Sequence, residues 1–276
     1  MIHEVARAKL NLALHVRHRR SDGYHELETL FAFVRDGDGL TVESAEADRI
    51  GITGPFAATL QAEGDNLVTR ARDVYRAAFG TFGPCAILLD KRLPVASGIG
   101  GGSADAAATL RALARRDNVS LDHPQLKASA QALGSDVPAC LLSRSAIGSG
   151  RGETLAPIEG LAGVPALLVN PGVEVSTATV FGRWDGEDRG PIGTGDPLGI
   201  ALAGRNDLEA PARSLAPAID RVLAVLAEQA GTRLVRMSGS GATCFALFED
   251  AAACTTAAAA IRQAHADWWC LETALV

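Results

Sequence analysis

A glycine-rich segment between a short apolar run and an alanine-rich stretch constrains the fold more than any other feature. Residues 94–108 read Pro-Val-Ala-Ser-Gly-Ile-Gly-Gly-Gly-Ser-Ala-Asp-Ala-Ala-Ala and follow a predicted strand at 85–89. Glycine lets the backbone approach a ligand closely. We expect a helix from residue 104, capped by Ser103, whose first N–H groups and positive dipole end add to those of the loop. The segment therefore predicts a site for a chain of phosphates.

Neither of the common nucleotide-binding glycine motifs matches this segment. The dinucleotide pattern Gly-x-Gly-x-x-Gly fails because Ser103 occupies its last position. The P-loop pattern fails because no lysine follows the glycines. A flexible connection between a strand and a helix is the alternative for the segment taken alone.

Composition and charge exclude several classes of protein. The 276 residues are 47% hydrophobic, which suffices for one large domain or two smaller ones, and we place two domains at 1–155 and 156–276. A net charge of −6 disfavours a nucleic-acid surface. No apolar run has the length of a membrane span or of a signal peptide. The 5 cysteines form no Cys-x-x-Cys pair, which favours reduced thiols over disulfides or zinc. We expect a cytoplasmic protein.

Hydrophobic periodicity predicts an α+β chain. Residues 9–16 alternate, so that Lys9 and Asn11 share one face of a strand and leucines form its apolar face. Further strands are predicted at 28–34, 166–169, 234–237, 243–248 and 269–275, and helices at 65–79, 104–115, 124–133, 176–181, 208–215, 218–230 and 251–264. A loop is predicted at 184–199. The order of elements in the second half predicts a ferredoxin-like α+β sandwich.

Three separated segments together resemble the GHMP kinases. They are Ala-Lys-Leu-Asn-Leu at 8–12, the glycine segment at 94–108, and Ser-Gly-Ser-Gly-Ala at 238–242, in this order. The resemblance implies a two-domain α+β fold. Its N-terminal domain, ribosomal-protein-S5-domain-2-like, binds ATP and carries catalysis, and its C-terminal ferredoxin-like domain contributes to substrate binding. In such kinases the glycine loop holds the phosphates of ATP in place of a P-loop.

One further segment narrows the resemblance. Asp-Gly-Tyr-His-Glu-Leu-Glu-Thr at 22–29 is similar to the signature of the GHMP kinases whose acceptor is 4-diphosphocytidyl-2-C-methyl-D-erythritol, and 64–67, 134–138 and 206–209 also match that group. The implied reaction is ATP-dependent phosphorylation of the 2-hydroxyl of this alcohol, in the non-mevalonate (methylerythritol phosphate) route to isopentenyl diphosphate. Magnesium is expected to arrive with ATP and to be bound mainly through the phosphates, with Ser103 as a candidate for one oxygen ligand.

The resemblance assigns the catalytic pair. Asp136 is the base that takes the hydroxyl proton, and Lys9 is its partner. A plain helix N-cap is the alternative for Asp136, and a solvated strand lysine is the alternative for Lys9. One departure from the family concerns the ATP site, because Ser103-Ala104-Asp105 stands where the family often has Ser-Ser-Asn. The change adds a negative charge near the expected phosphates and puts contacts at 104 and 105 in doubt.

The resemblance also implies two binding sites. Tyr24 stacks on the cytosine and His25 hydrogen-bonds it, with a core aromatic as the alternative for Tyr24 and Phe181. The other acceptor-binding residues are Asn11, Thr177, Phe181, Gly239 and Ser240. The ATP-binding residues are Pro94, Val95, Ala96, Ser97, Gly98, Ile99, Gly100, Gly101, Gly102, Ser103 and Ala104, with Asn66 and Lys91. Helix capping is the alternative for Asn66.

The expected partners are ATP and the cytidyl alcohol, with no nucleic acid and no membrane, and the expected state is a monomer or weak homodimer. Two other functions stay open. A mevalonate- or homoserine-kinase-like enzyme would share the glycine loop but has no reason to carry the segment at 22–29. A non-catalytic nucleotide-binding homologue would be expected to lose Lys9 or Asp136, and both are present.

Overall fold

The computed structural model describes residues 1–62, 66–80 and 83–276. The strands are β1 (Ile2–Arg19), β2 (His25–Ser44), β3 (Arg49–Thr53), β4 (Cys85–Asp90), β5 (Ala146–Gly150), β6 (Thr154–Pro157), β7 (Pro165–Asn170), β8 (Thr232–Met237), β9 (Cys244–Phe248) and β10 (Trp269–Ala274). The helices are α1 (Ala57–Ala62), α2 (Leu67–Phe79), α3 (Gly101–Arg116), α4 (Pro124–Leu133), α5 (Val137–Leu142), α6 (Thr177–Gly182), α7 (Pro197–Ala203), α8 (Glu209–Leu215), α9 (Ala218–Ala227) and α10 (Ala251–Ala264).

The chain forms two compact units, neither of which is continuous in sequence. The first comprises Met1–Ala8, Asp36–Val95 and Gly100–Ser143, and the second comprises Lys9–Arg35, Ala96–Ile99 and Arg144–Val276. Strands β1 and β2, which pair with each other, therefore contribute residues to both units. The expected boundary after residue 155 lies within the second unit, and the division into 1–155 and 156–276 stays a prediction.

The first unit packs helices around an unusually buried α3. In this unit β4 pairs antiparallel with residues 39–44 of β2 and parallel with β3. Helix α3 packs against α2, α4 and α5, and every residue from Ala104 to Ala114 is buried. A surface helix buries only one stripe of apolar residues, whereas a helix enclosed on all sides needs small side chains. This enclosure explains why α3 is so rich in alanine.

The second unit contains the four-stranded sheet that the sequence predicted. Its strand order is β10-β7-β9-β8 and every pairing is antiparallel. Numbered within the motif, this is the order 4-1-3-2 of a ferredoxin-like sandwich, with α10 between β9 and β10. Side chains of α9 and α10, including Ile219, Val222 and Ile261, join the core of this unit. The α+β fold class is confirmed.

Strand β1 differs from the expected half-exposed strand. The alternation is present, but the polar face is covered as well, since Lys9 is 3% exposed and Asn11 and His15 are each 2% exposed. The side-chain amide of Asn11 donates to Thr29 Oγ1 at 2.8 Å, and His15 Nε2 accepts from the N–H of Arg205 at 3.3 Å. The predicted apolar face is therefore present, and the polar face is covered as well by residues from elsewhere in the chain. Strand β2 is also longer than the predicted 28–34.

Helix α3 begins three residues before its predicted start. Gly100 takes the N-cap position in the left-handed region with φ of 66°, and its carbonyl accepts from Ala104 N at 2.8 Å. Ser103 therefore lies inside the first turn, and its expected capping role was wrong. A Cβ at Gly101 would lie 3.2 Å from Lys91 Nζ, and one at Gly102 would lie 3.3 Å from Leu67 Cδ1. A side chain at either glycine would therefore crowd a neighbour of the first turn.

Smaller differences concern the remaining ends of elements. Helix α2 begins at Leu67, and residues 64 and 65 of the matched segment lie outside the described residues. The predicted loop at 184–199 contains the start of α7. Within the described part of the chain, none of the helices combines the length and apolar character needed to cross a membrane.

Candidate active site

The middle of the glycine segment is hydrogen-bonded on two sides within the second unit. On one side, Lys9 N on β1 donates to Ile99 O at 2.9 Å. On the other side, Thr243 N, just before β9, donates to Ser97 O at 3.1 Å. Residues 96–99 are therefore fixed between β1 and the turn that joins β8 to β9.

The turn at 238–241 approaches the glycine segment closely enough to require glycine on both sides. Gly98 has φ of +78°, and a Cβ there would lie 2.5 Å from Ser238 O. A Cβ at Gly239 would lie 2.8 Å from Gly98 O. Ser238 Oγ donates to Gly98 O at 3.1 Å and accepts from Asn11 N at 3.2 Å. Parts of the three segments that carry the family resemblance, 9–12, 96–99 and 238–242, thus meet within the second unit.

Lys9 is enclosed and oriented rather than solvated. Its ammonium donates to Asn11 Oδ1 at 2.9 Å and lies 5.4 Å from the centroid of the Phe31 ring. The amide of Asn11 donates to Thr29 Oγ1, which in turn donates to Ala13 O at 2.7 Å. These hydrogen bonds orient the Asn11 amide so that its Oδ1 faces the Lys9 ammonium. The alternative of a solvated strand lysine was wrong, and the catalytic role of Lys9 stays a prediction.

Asp136 precedes α5 in the first unit, but its side chain does not cap that helix. Its carbonyl accepts from Cys140 N at 3.0 Å, whereas its carboxylate makes no capping hydrogen bond. In contrast, the carboxylates of Asp196 and Asp250 cap α7 and α10 through hydrogen bonds of 2.8 Å each. The capping alternative is therefore wrong for the Asp136 carboxylate. Its role as a base stays a prediction.

The predicted ATP-binding residues of the first unit divide into surface and interior positions. Gly102 is exposed and Ser103 is half-buried, whereas Ala104 and Asp105 are each only 2% exposed. The Asp105 carboxyl therefore faces the interior, and the departure from Ser-Ser-Asn does not put its charge on the outer face of the loop. Lys91 is 1% exposed, and its ammonium donates to Asp38 and Asp105 at 2.6 Å each. This enclosure favours a structural role for Lys91 over direct contact with a nucleotide.

Asn66 caps α2, which was the alternative for this residue. Its side-chain oxygen accepts from Val68 N at 2.8 Å. A contact between Asn66 and adenine stays a prediction, as do the contacts of Pro94 and Val95. Pro94 is buried, and Val95 is half-buried.

The predicted cytosine-binding residues lie in the second unit, where His25 forms an aromatic cluster with Phe181 and Trp184. Tyr24 is 54% exposed, and the guanidinium carbon of Arg151 lies 4.7 Å from the centroid of its ring. His25 stacks on Phe181 with centroids 4.9 Å apart, and the edge of Trp184 lies against it at 5.6 Å. Burial, and then the positive charge of Arg19, lower the pKa of His25 below 6.5. A neutral imidazole keeps one donor and one acceptor for a nucleobase.

Phe181 has the core contact that was its alternative role, and its contact with the acceptor stays a prediction. It packs against the core of the second unit and also supports His25. The predicted residues Thr177 and Ser240 are brought together, because their hydroxyl oxygens are hydrogen-bonded at 2.8 Å. Their contact with an acceptor stays a prediction.

The sequence did not assign four residues that organise this unit. Thr29 orients Asn11, and it ends the matched segment at 22–29. Asn206 donates to Met237 O and Gly239 O at 2.8 Å each, and it begins the matched segment at 206–209. Both residues therefore lie in segments that the sequence had already matched to the family. Trp184 contacts His25 and Arg151 contacts Tyr24, both from loops, where no sequence pattern marked them.

The described residues, which omit 63–65 and 81–82, contain no group of three or more histidine, cysteine, aspartate or glutamate side chains that could hold a metal ion. In the same part of the chain the five cysteines are free thiols.

The sequence matches two family models. Residues 66–144 match the GHMP kinases N terminal domain, and residues 192–267 match the GHMP kinases C terminal model. A crystal structure of 4-(cytidine 5'-diphospho)-2C-methyl-D-erythritol kinase superposes with a TM-score of 0.82 at 38% identity and covers 99% of both chains. The mevalonate kinase of Methanococcus jannaschii superposes with a TM-score of 0.69 at 12% identity, covering 100% of this chain and 98% of its own, and shows the fold alone.

Curated relatives match over nearly the whole length. The 4-diphosphocytidyl-2-C-methyl-D-erythritol kinase of Rhizorhabdus wittichii is 54% identical over 99% of this chain and 94% of its own. The kinase of the same name from Novosphingobium aromaticivorans is 49% identical over 99% of this chain and 93% of its own. With both GHMP domains, the matching fold and this degree of identity, the chain belongs to the 4-diphosphocytidyl-2-C-methyl-D-erythritol kinase family of the GHMP kinases.

Proposed function

We propose that this protein transfers the γ-phosphoryl group of ATP to the 2-hydroxyl of 4-diphosphocytidyl-2-C-methyl-D-erythritol, in the non-mevalonate route to isopentenyl diphosphate. The chain belongs to this kinase family, and one structural observation supports the proposal. The glycine segment at 96–99 is bonded to the strand that bears Lys9 and Asn11 and to the turn at 238–241.

The glycine segment receives the phosphates of ATP. Backbone N–H groups near Gly98 and Gly100, together with the unpaired N–H groups at the start of α3, supply donors and a positive dipole end for an anion. Magnesium enters with ATP and keeps several waters, because the described residues offer no carboxylate cage and the phosphates are its main ligands. When bound, it neutralises phosphate charge.

Phosphoryl transfer then requires a base and an oriented acceptor. The Asp136 carboxylate takes the proton of the 2-hydroxyl, the oxygen forms a bond to the γ-phosphorus, and the bond to ADP breaks. The Lys9 ammonium stabilises negative charge on the reacting oxygen. Two features support these roles: the Asp136 carboxylate is not used for helix capping, and Lys9 is held by Asn11 in a buried site. A compact ammonium on a flexible stem suits this position better than a planar guanidinium.

The acceptor is recognised through its cytosine and its diphosphate. Tyr24 stacks on the cytosine, and the neutral ring of His25 hydrogen-bonds it with Phe181 behind. Thr177, Gly239 and Ser240 contact the diphosphate, because the glycines of the turn put no side chain between the ligand and the backbone.

A coupled assay of ADP release tests the substrate. The purified protein is given ATP with 4-diphosphocytidyl-2-C-methyl-D-erythritol, mevalonate or homoserine in parallel. We expect turnover with the cytidyl alcohol only. Turnover with mevalonate or homoserine would assign a different GHMP kinase activity, and ATP binding without turnover on any alcohol would indicate a non-catalytic homologue.

The base is tested by Asp136→Asn, which keeps the shape of the side chain. We expect kcat to fall by about 10²–10⁴-fold with ATP binding retained. Asp250→Asn is the matched control, because asparagine caps a helix as well as aspartate and Asp250 caps α10. An Asp136→Asn enzyme as active as this control would remove Asp136 from the mechanism.

Location and assembly follow the same proposal. We place the enzyme in the cytoplasm, as a monomer or weak homodimer acting on small molecules. Sedimentation of the purified protein over a range of concentrations tests the assembly, and a tight oligomer at every concentration would contradict it.

A further inference from the structure

A buried ionic cluster lies beneath the glycine segment in the first unit. It consists of Asp38 on β2, Lys91 just after β4, and Asp105 in the second turn of α3. The Lys91 ammonium donates to Asp38 Oδ2 and to Asp105 Oδ2 at 2.6 Å each. Asp38 is 0% exposed, Lys91 1% and Asp105 2%. Burying three charged groups costs free energy, so we expect the cluster to have a specific role.

The cluster binds both ends of the glycine segment. At its start, Asp38 Oδ1 accepts from the backbone N–H groups of Arg92 and Leu93 at 2.6 and 2.8 Å. At its end, Lys91 holds Asp105, and the ammonium lies close enough to Gly101 that a Cβ there would be 3.2 Å away. The backbone that leads into the loop and the helix that leaves it are therefore fixed by the same three side chains.

The ionised form of Asp105 is unfavourable in this buried position. Its Oδ1 is buried and has no hydrogen-bond partner among the described residues. Burial raises the pKa of Asp105 to about 8, the Lys91 charge acts in the opposite direction, and the carboxylate of Asp38 raises it again. With a proton on Asp105 the cluster is neutral, and with all three groups ionised it carries one net negative charge.

Among the described residues, Lys91 is the ion-pair partner of Asp105. Helices α2, α4 and α5 pack against α3, and the buried residues of α4 include no titratable group. The titratable groups that they bury are Tyr75, whose hydroxyl donates to Leu113 O, and Cys140, whose carbonyl accepts from Arg111. Both bonds lie toward the far end of α3. Lys91 and Asp38 are thus the charged groups that act on Asp105.

We propose that Asp38, Lys91 and Asp105 are positioning residues that hold the two ends of the glycine segment and so align its backbone N–H groups for the phosphates of ATP. The proposal rests on the proposed kinase function and deepens it. The cluster acts through the loop and touches no substrate. It also gives a role to Asp105, which stands where the family often has asparagine. The carboxyl group takes the place of that amide and accepts a hydrogen bond from Lys91.

The first test removes the cation. Lys91→Met leaves two buried carboxylates facing each other, which should displace the ends of the loop, and a displacement of about 1 Å costs up to about 10²-fold in rate. We expect KM for ATP to rise about tenfold, with KM for the acceptor within about threefold of wild type. Glu4→Gln is the matched control, since Glu4 forms a buried ion pair with Arg111 farther along α3 at 2.9 Å. Equal changes in both KM values, or the same change in the control, would overturn the proposal.

The second test uses a variant that keeps the fold. Asp105→Asn preserves an acceptor for Lys91 and removes the titrating carboxyl. As pH rises above about 8, wild-type KM for ATP should increase because the cluster becomes negative, and the Asp105→Asn profile should stay flat. Identical profiles in the two proteins would overturn the proposal even where Lys91→Met fails to fold.

Direct binding separates this inference from the proposed function. Calorimetry of ATP with each variant, without any acceptor, reports loop alignment independently of the alcohol that is phosphorylated. If wild type binds ATP but does not turn over the cytidyl alcohol, the proposed function fails while the weaker ATP binding of Lys91→Met still supports the cluster. If Lys91→Met binds ATP as wild type does, the cluster proposal fails alone.

Discussion

Replacing Gly98 by alanine should strain the glycine segment and the turn at 238–241 together. Gly98 has φ of +78°, a region that costs a residue with a Cβ about 1–2 kcal/mol. The new Cβ would lie 2.5 Å from Ser238 O and 2.7 Å from Gly241 O, which are backbone atoms and cannot rotate away. Overpacking of this kind costs about 1–3 kcal/mol more. We expect the free energy of unfolding to fall by about 2–5 kcal/mol.

A second glycine separates the two contributions. Gly172 has φ of +74° in the same unit, and a Cβ there would meet nothing within 4 Å. Gly172→Ala should therefore cost only the backbone strain of about 1–2 kcal/mol. The effect of alanine on the unfolded chain is the same in both variants and cancels in their difference. The remaining difference of about 1–3 kcal/mol measures the close approach of the turn to Gly98.

Tryptophan fluorescence during urea denaturation measures this difference. The 3 tryptophans, at positions 184, 268 and 269, all belong to the second unit, as do both glycines. KM for ATP should rise in Gly98→Ala and not in Gly172→Ala. If the two variants lose equal stability, within the roughly 10–15% uncertainty of the extrapolation, the contact of Gly98 with the turn carries no energy and the reasoning is refuted.

Two further predictions concern Tyr24 and His25. Tyr24→Ala should weaken the cytidyl acceptor by about 1–3 kcal/mol, measured as its KM, because a stacked aromatic is lost, and KM for ATP should hold. An equal rise in both KM values, in a variant that unfolds as wild type does, would contradict the placement of Tyr24 in the acceptor site. The lowered pKa of His25 means that the unfolded chain binds a proton below its ordinary value of 6.5 while the folded chain does not. The free energy of unfolding should therefore fall as pH drops below about 6.5, and His25→Gln should reduce this slope in denaturation curves; an unchanged slope would show that His25 does not titrate as the structure indicates.

Local signals were sufficient for several elements. Helices α4 and α10 have the predicted bounds, 124–133 and 251–264. A proline begins α4, Gly134 follows it, and the Asp250 carboxylate caps α10. Such caps act within a few residues of the helix end, so they are legible in the sequence alone. The ferredoxin-like order of the second unit followed in the same way from the succession of strands and helices.

Burial and charge pairing required the tertiary structure. The alternation of β1 correctly put Lys9 and Asn11 on one face, but the partners of Asn11 are distant: its amide donates to Thr29, 18 positions away, and its backbone N–H donates to Ser238, 227 positions away. The start of α3 at Gly101 was not predicted either, and a side chain at its first two residues would crowd Lys91 and Leu67.

Lys91 illustrates the same division between sequence and structure. The family resemblance implied contact of Lys91 with a nucleotide, which stays a prediction. The structure adds that its ammonium binds Asp38, 53 positions away, and Asp105, 14 positions away. Periodicity, turns and family segments are properties of neighbouring residues, so the sequence by itself indicated helices such as α4 and α10, the order of elements in the second unit and the candidate residues. Which side chains are enclosed, and which charges they meet, depends on distant residues that only folding brings together, because the free energy of a buried ion pair is set by the environment around it.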